Sequence, residues 1–134
     1  MAAEIDHIAV ANSSNDKGIA FYRDLIGLEY VETEEVAEQK VKAAILKAGD
    51  VRVELLEPTS ADSPVARFID RRGEGLHHIA IRVKNIEEVL VRFKAAGARL
   101  IDESPRTGVG GSRIAFVHPA ASNGVLIELV EPSA

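Results

Sequence analysis

The sequence predicts an α+β fold in which a sheet dominates, built from two copies of one strand–helix–three-strand module. Three observations predict it. Ile5-Asp6-His7-Ile8-Ala9-Val10 returns as Leu76-His77-His78-Ile79-Ala80-Ile81. Val51-Arg52-Val53-Glu54-Leu55-Leu56-Glu57-Pro58 returns as Val125-Leu126-Ile127-Glu128-Leu129-Val130-Glu131-Pro132. Between these anchors, Gly27 and Gly97 each follow an apolar helical pattern, and the offsets are nearly constant: 71 residues for His7 to His78, 70 for Gly27 to Gly97 and 74 for Glu54 to Glu128. Fixed-offset self-similarity is the mark of a duplicated unit. Strand propensity alone explains the recurring Val and Ile, but not the recurring His and Glu.

In the first module, residues 5–11 are rich in β-branched side chains and stop at the turn cluster Asn12-Ser13-Ser14-Asn15-Asp16. Ile19, Tyr22 and Ile26 then recur at helical spacing across 17–26, and Gly27 supplies a left-handed exit. Strands are expected at about 28–36, 40–47 and 51–57, the last two joined by Gly49-Asp50. A connector, 59–74, carries a short helix that Asp62 or Ser63 caps, with Pro64 in its first turn, Val65, Phe68 and Ile69 toward the core, and Gly73 at its end. The second module begins at about 75. Its helix opens at Asn85, with Glu88 at the capping-box position, presents Ile86, Val89, Leu90 and Phe93 on one face, and leaves at Gly97. Strands near 98–103, 112–118 and 124–131 complete eight strands and three helices. The whole, 1–134, reads as a single domain made of modules 1–58 and 75–132.

Composition narrows the chemistry. A net charge of −5 argues against nucleic acid, which needs a basic face, and against an anionic membrane surface. The absence of Cys excludes disulfides, thiolate metal ligands and a thiol nucleophile. No apolar run approaches the roughly 20 residues of a membrane span. Met1-Ala2-Ala3-Glu4 lacks the pattern of a secretory leader, so the expectation is a soluble cytoplasmic protein.

Strand alternation sets His7 with Ala9 and Ala11 on one face and Ile8 with Val10 on the other; His78 and Ala80 repeat the arrangement. Glu128, inside Val-Leu-Ile-Glu-Leu-Val, is costly to bury unless it is paired or ligates a metal. Packing the two copies about a pseudo-twofold axis brings His7, His78, Glu54 and Glu128 together as a two-His, two-Glu set. Imidazole and carboxylate without sulfur suit a first-row divalent ion with open positions. The other candidates carry less. His77 points to the opposite face from His78, and His118 precedes Pro119 at a strand end. Gly108-Val109-Gly110-Gly111 reads as an anion-binding nest or a flexible loop. Glu32-Thr33-Glu34-Glu35 reads as a solvated edge. Lys40, Lys42, Lys47 and Arg113 could meet an anionic substrate or be exposed strand ends.

Several stretches together carry a resemblance: Asp6-His7-Ile8-Ala9-Val10-Ala11, Glu38-Gln39-Lys40-Val41-Lys42, Asp62-Ser63-Pro64-Val65-Ala66-Arg67-Phe68, Gly73-Glu74-Gly75-Leu76-His77-His78 and Gly124-Val125-Leu126-Ile127-Glu128-Leu129. On these the chain resembles the vicinal oxygen chelate (glyoxalase-like) superfamily and, within it, the methylmalonyl-CoA epimerase family. The resemblance implies an eight-stranded cup with helices outside, often dimeric, and one divalent ion per chain, Co2+ first, with Mn2+, Ni2+ or Zn2+ as alternatives. It puts the metal ligands on His7, Glu54, His78 and Glu128. It implies interconversion of (2R)- and (2S)-methylmalonyl-CoA, with an acyl-CoA as the small-molecule partner. A metal chelating the substrate oxygens would stabilise an enolate, and the pseudo-twofold sets Glu128 and Glu54 on opposite sides of its plane, Glu128 as one base and Glu54, or a water it holds, as the other. Gln39, Lys40, Arg113, Gly110 and Gly111 are the expected substrate contacts. Some relatives carry Gln in place of Glu54, and some carry a proposed Glu base where this chain has Ala43. A glyoxalase I-type lyase would share the ligand pattern. A metal-free binding or resistance protein on the same fold would need no such set.

Overall fold

The structure is a computed structural model that describes residues 3–133; Met1 and Ala2, which open the stretch read as lacking a leader, lie outside the described residues, as does Ala134. The chain forms two compact units. One comprises His7–His77; the other joins the residues up to Asp6 to those from His78 onward.

The unit His7–His77 has strands in the order β2 (Glu29–Val36), β3 (Val41–Ala48), β4 (Val51–Pro58) and β1 (Glu4–Ala11). β1 runs parallel to β4, and the other pairs are antiparallel. Helix α1 (Asn15–Ile19) is capped by the Ser14 hydroxyl, which accepts the Lys17 N–H, and continues as a π-helical segment, Ala20–Ile26. The segment closes as expected at Gly27 (φ 96°), where the Leu28 N–H donates to the Tyr22 carbonyl and that of Gly27 to Arg23. The paired bonds satisfy carbonyls the helix leaves orphaned. Ala44, Leu46 and Leu55 pack with Val10, Ile19 and Tyr22 beneath it. Leu46 and Leu55 are fully buried, each worth about 1.5–3 kcal/mol of transfer free energy. α2 (Pro64–Arg72) starts on Ser63, whose hydroxyl accepts the Val65 N–H, so Ser63 rather than Asp62 is the cap.

The unit from His78 repeats the strand pattern: β5 (Gly75–Arg82), β8 (Ile127–Glu131), β7 (Arg113–Val117) and β6 (Arg106–Thr107), with β5 parallel to β8. α3 (Ile86–Ala95) is capped by Asn85, which accepts the Glu88 N–H. Ile86, Val89 and Leu90 pack on Ala115, Val117 and Leu129. With these, the α+β class and the count of eight strands and three α-helices hold among the described residues.

Two strands differ from expectation. The strand read near 98–103 is reduced to a single bridge, Leu100 to Val117, and β6 begins only at Arg106. Ile101 and Asp102 N–H groups both donate to the Phe116 carbonyl, while the Asp102 carboxylate takes the Phe116 N–H. A side chain thus replaces a rung of the ladder, and Pro105, having no N–H, cannot restore it. β8 likewise starts at Ile127 instead of 124, because Asn123 and Gly124 take positive φ in a turn. No helix among the described residues is long and apolar enough to cross a membrane.

Candidate metal-binding and catalytic residues

Each unit buries one imidazole–carboxylate pair, and the two pairs are built alike. In the first, Ala9 of β1 lies opposite Glu54 of β4, and His7 sits two residues before that alanine. In the second, Ala80 of β5 lies opposite Glu128 of β8, and His78 sits two residues before it. Alternation puts His and Glu on one face, away from the helix, and the small alanine leaves them room. His7 Nδ1 lies 3.3 Å from Glu54 Oε2, and His78 Nε2 lies 3.2 Å from Glu128 Oε1. All four residues are between 1 and 4 % exposed. Buried carboxylates demand compensation. For Glu54, the Arg52 Nη2 at 3.6 Å contributes part of it.

Around His78 the packing is specific. The Phe116 ring meets the imidazole edge to face, centroids 5.2 Å apart. The Arg106 guanidinium carbon lies 5.6 Å from the Phe116 centroid, and Asp102 Oδ1 is 3.4 Å from Arg106 Nε. Asp6, 2 % exposed, is held by Arg82 Nε and Nη2, each at 3.1 Å. Sequence reasoning passed over Asp6, Asp102, Arg106 and Phe116. A carboxylate beside a candidate ligand in a β-branched strand, as in Asp6-His7, is the one available signal.

The remaining expected residues make contacts within their own units. Arg113 does not lie with the His78–Glu128 pair: alternation on β7 sets it with Ala115 and Val117 on the α3 side, where Glu87 and Glu131 hold it. Glu87 first, then Glu131, raises its pKa above the ordinary guanidinium value. Lys40, in the left-handed region at φ 55°, is paired to Asp62. Lys40 and then Ser60 lower the Asp62 carboxyl to about 2. The Gln39 carbonyl lies 3.5 Å from the Ser63 hydroxyl, and its buried Nε2 has no hydrogen-bond partner. Gly110 and Gly111, both at positive φ, turn the loop before β7, and the Gly110 carbonyl accepts from Ser133. His77 stacks edge to face on Phe68, and His118 Nδ1 caps the turn that follows it by accepting the Ala120 N–H. Ala43 is fully buried on the Glu54 face, beside Leu56. Across β2 its partner is Glu34, drawn from the run read as a solvated edge.

Each unit thus offers one imidazole and one carboxylate, with no sulfur, which are donor types that suit a divalent first-row ion. The carboxylates are also groups that can take and return a proton.

The chain matches the model of the glyoxalase/bleomycin resistance protein/dioxygenase superfamily over residues 6–116. It is 44% identical to YqjC, an uncharacterized protein of Bacillus subtilis, over 96% of this chain and 91% of that one. It is 34% identical to the mitochondrial methylmalonyl-CoA epimerase of Bos taurus, over 93% of this chain and 72% of that protein. Among solved structures, a variant of Streptomyces coelicolor methylmalonyl-CoA epimerase in complex with 2-nitronate-propionyl-CoA is 39% identical, with a TM-score of 0.93, covering 98% of this chain and 95% of that one.

Proposed function

The chain belongs to the glyoxalase/bleomycin resistance protein/dioxygenase superfamily, and from that premise we propose that it is a methylmalonyl-CoA epimerase working with one divalent ion. The observation that carries the reading is the duplicated His–Glu pair, buried and at matched register in both units. The chain's similarity to the bovine and Streptomyces epimerases supplies the substrate class.

His7, Glu54, His78 and Glu128 are the residues that would hold the ion, Co2+ being the first choice and Mn2+, Ni2+ and Zn2+ the alternatives. When bound, it supplies Lewis-acid stabilisation of charge developing on the substrate oxygens, worth several kcal/mol. The protein's own groups move the proton. Glu128 takes the Cα proton from one face: the C–H bond breaks, an O–H bond forms on the carboxyl, and the electron pair moves into the thioester carbonyl to give an enolate. Glu54, or a water it holds, returns a proton to the other face of the planar carbon. Ala9 and Ala80 leave the carboxylates space, and burial keeps bulk water from quenching the enolate. Because Ala43 offers no base, Glu54 takes the second role here. The exposed Phe21, Leu25 and Ile26 side chains favour a homodimer over a monomer.

The test is metal analysis together with turnover of methylmalonyl-CoA. Purified protein should carry or take up about one ion per chain, and His7→Ala or His78→Ala should abolish both uptake and turnover. Full activity after chelation would end this reading. So would turnover of the methylglyoxal–glutathione hemithioacetal in place of methylmalonyl-CoA.

A further inference from the structure

Arg106 stands outside the proton-transfer scheme, yet it is built into the wall around His78. It lies on β6 directly opposite Ile114 of β7. Opposed residues of an antiparallel pair share a face. Ile114 packs with Phe116, Ala80 and Val130, the residues that alternation groups with His78 and Glu128. One aromatic ring separates the guanidinium from the imidazole, since Phe116 touches both. Asp102 braces the arginine at Nε and is itself anchored by the Phe116 N–H at 2.9 Å. The Arg106 side chain remains 39 % exposed, so its terminal nitrogens can meet an anion. The neighbouring arginines are committed elsewhere: Arg82 to Asp6 and Glu4, Arg113 to Glu87 and Glu131.

A guanidinium held over a ring and braced at one nitrogen has less side-chain freedom to lose than an unbraced one. Its remaining donors match the planar, bidentate geometry of carboxylate and phosphate oxygens. We propose that Arg106 binds an anionic oxygen group of the acyl-CoA substrate, either the acyl carboxylate or a CoA phosphate, and that Asp102 and Phe116 are its positioning residues. This rests on the acyl-CoA reading above.

The test uses the full-length, metal-loaded enzyme and its Arg106→Gln and Arg106→Lys variants. Each is assayed with methylmalonyl-CoA and with methylmalonyl-pantetheine, which lacks the nucleotide phosphates. Losing one charge-assisted contact should raise KM for methylmalonyl-CoA about tenfold in the Gln variant, with kcat within about twofold and with weaker salt dependence of KM; Lys should recover part of the loss. A KM effect that persists with the pantetheine thioester assigns the contact to the carboxylate. One that vanishes there assigns it to the phosphates. Unchanged KM on both substrates overturns the proposal. So does a fall in melting temperature or metal content with lower kcat and unchanged KM, which is the mark of a bracing role alone. If the wild type itself fails to turn over methylmalonyl-CoA, the epimerase reading is at fault. Calorimetric titration of wild type and the Gln variant with malonyl-CoA then decides on Arg106, equal affinities overturning it.

Discussion

Phe116→Leu isolates what the ring contributes beyond its bulk. Leucine keeps an apolar side chain at a position only 7 % exposed but removes the aromatic face and edge. Two contacts depend on them: the edge-to-face meeting with His78 at 5.2 Å and the Arg106 guanidinium at 5.6 Å. An aromatic pair of this kind is worth about 0.5–1.5 kcal/mol beyond area burial, and a partly exposed cation–π contact about 0.5–1 kcal/mol. The expected loss is therefore about 1–2.5 kcal/mol. A chain of 134 residues unfolds with an entropy of about 0.28 kcal/mol per kelvin, so the melting temperature should fall by about 4–9 °C. The assay is thermal and urea unfolding of chelator-treated protein followed by far-ultraviolet circular dichroism, which suits a chain without Trp. A double-mutant cycle with Arg106→Gln should return a coupling of about 0.5–1 kcal/mol. Wild-type stability in the Leu variant, or additive losses in the cycle, would refute the view that the ring joins the arginine to the imidazole.

Glu128→Gln and Glu54→Gln, after metal content is checked, should each lose racemisation in D2O yet retain α-proton exchange in opposite enantiomers. Loss of exchange in both enantiomers by one variant, with the other near normal, would leave Glu54 a ligand only. Asp62 should titrate near 2 by NMR and move up toward the ordinary aspartate value in Lys40→Met, since Lys40 is the largest cause of its depression. Because its folded-state pKa lies below the unfolded one, the contact's stabilisation is present above the ordinary carboxylate range and fades as pH falls toward about 2; an Asp62 midpoint unmoved by the substitution would contradict this. Gly18→Ala should destabilise despite a helix-propensity gain of about 1 kcal/mol, because the new Cβ would come within 2.6 Å of Leu55 Cδ1 and 2.9 Å of Asn12 Oδ1. Overpacking against a fully buried Leu55 costs about 1–3 kcal/mol, and a higher urea midpoint would show that Leu55 can yield.

Much of this protein is local and so legible in one dimension. Helix ends follow from Ser63, Asn85 and Gly27, whose effects reach only a few residues along the chain. The equivalence of the two His–Glu pairs follows from duplication, because copied strands with copied periods place copied side chains on the same face. Burial of Glu54 and Glu128 was foreseeable from their apolar flanks. Contacts set by pairing between distant segments were not. Asp6 and Arg82 are separated by 76 positions, and nothing near either announces the other.

The lost strand near 98–103 turns on a competition that composition does not reveal: the Asp102 carboxylate reaches the Phe116 N–H before a backbone carbonyl does. The same contact aims Arg106. Arg113 shows the converse, since alternation alone allowed either face of β7. The pairing of β7 with β8 and the apolar side of α3 settle that face, and with it the arginine's partners. The sequence by itself determined which side chains recur and at what period. Tertiary structure decided which charges meet, because register and packing, unlike period, are properties of two segments at once.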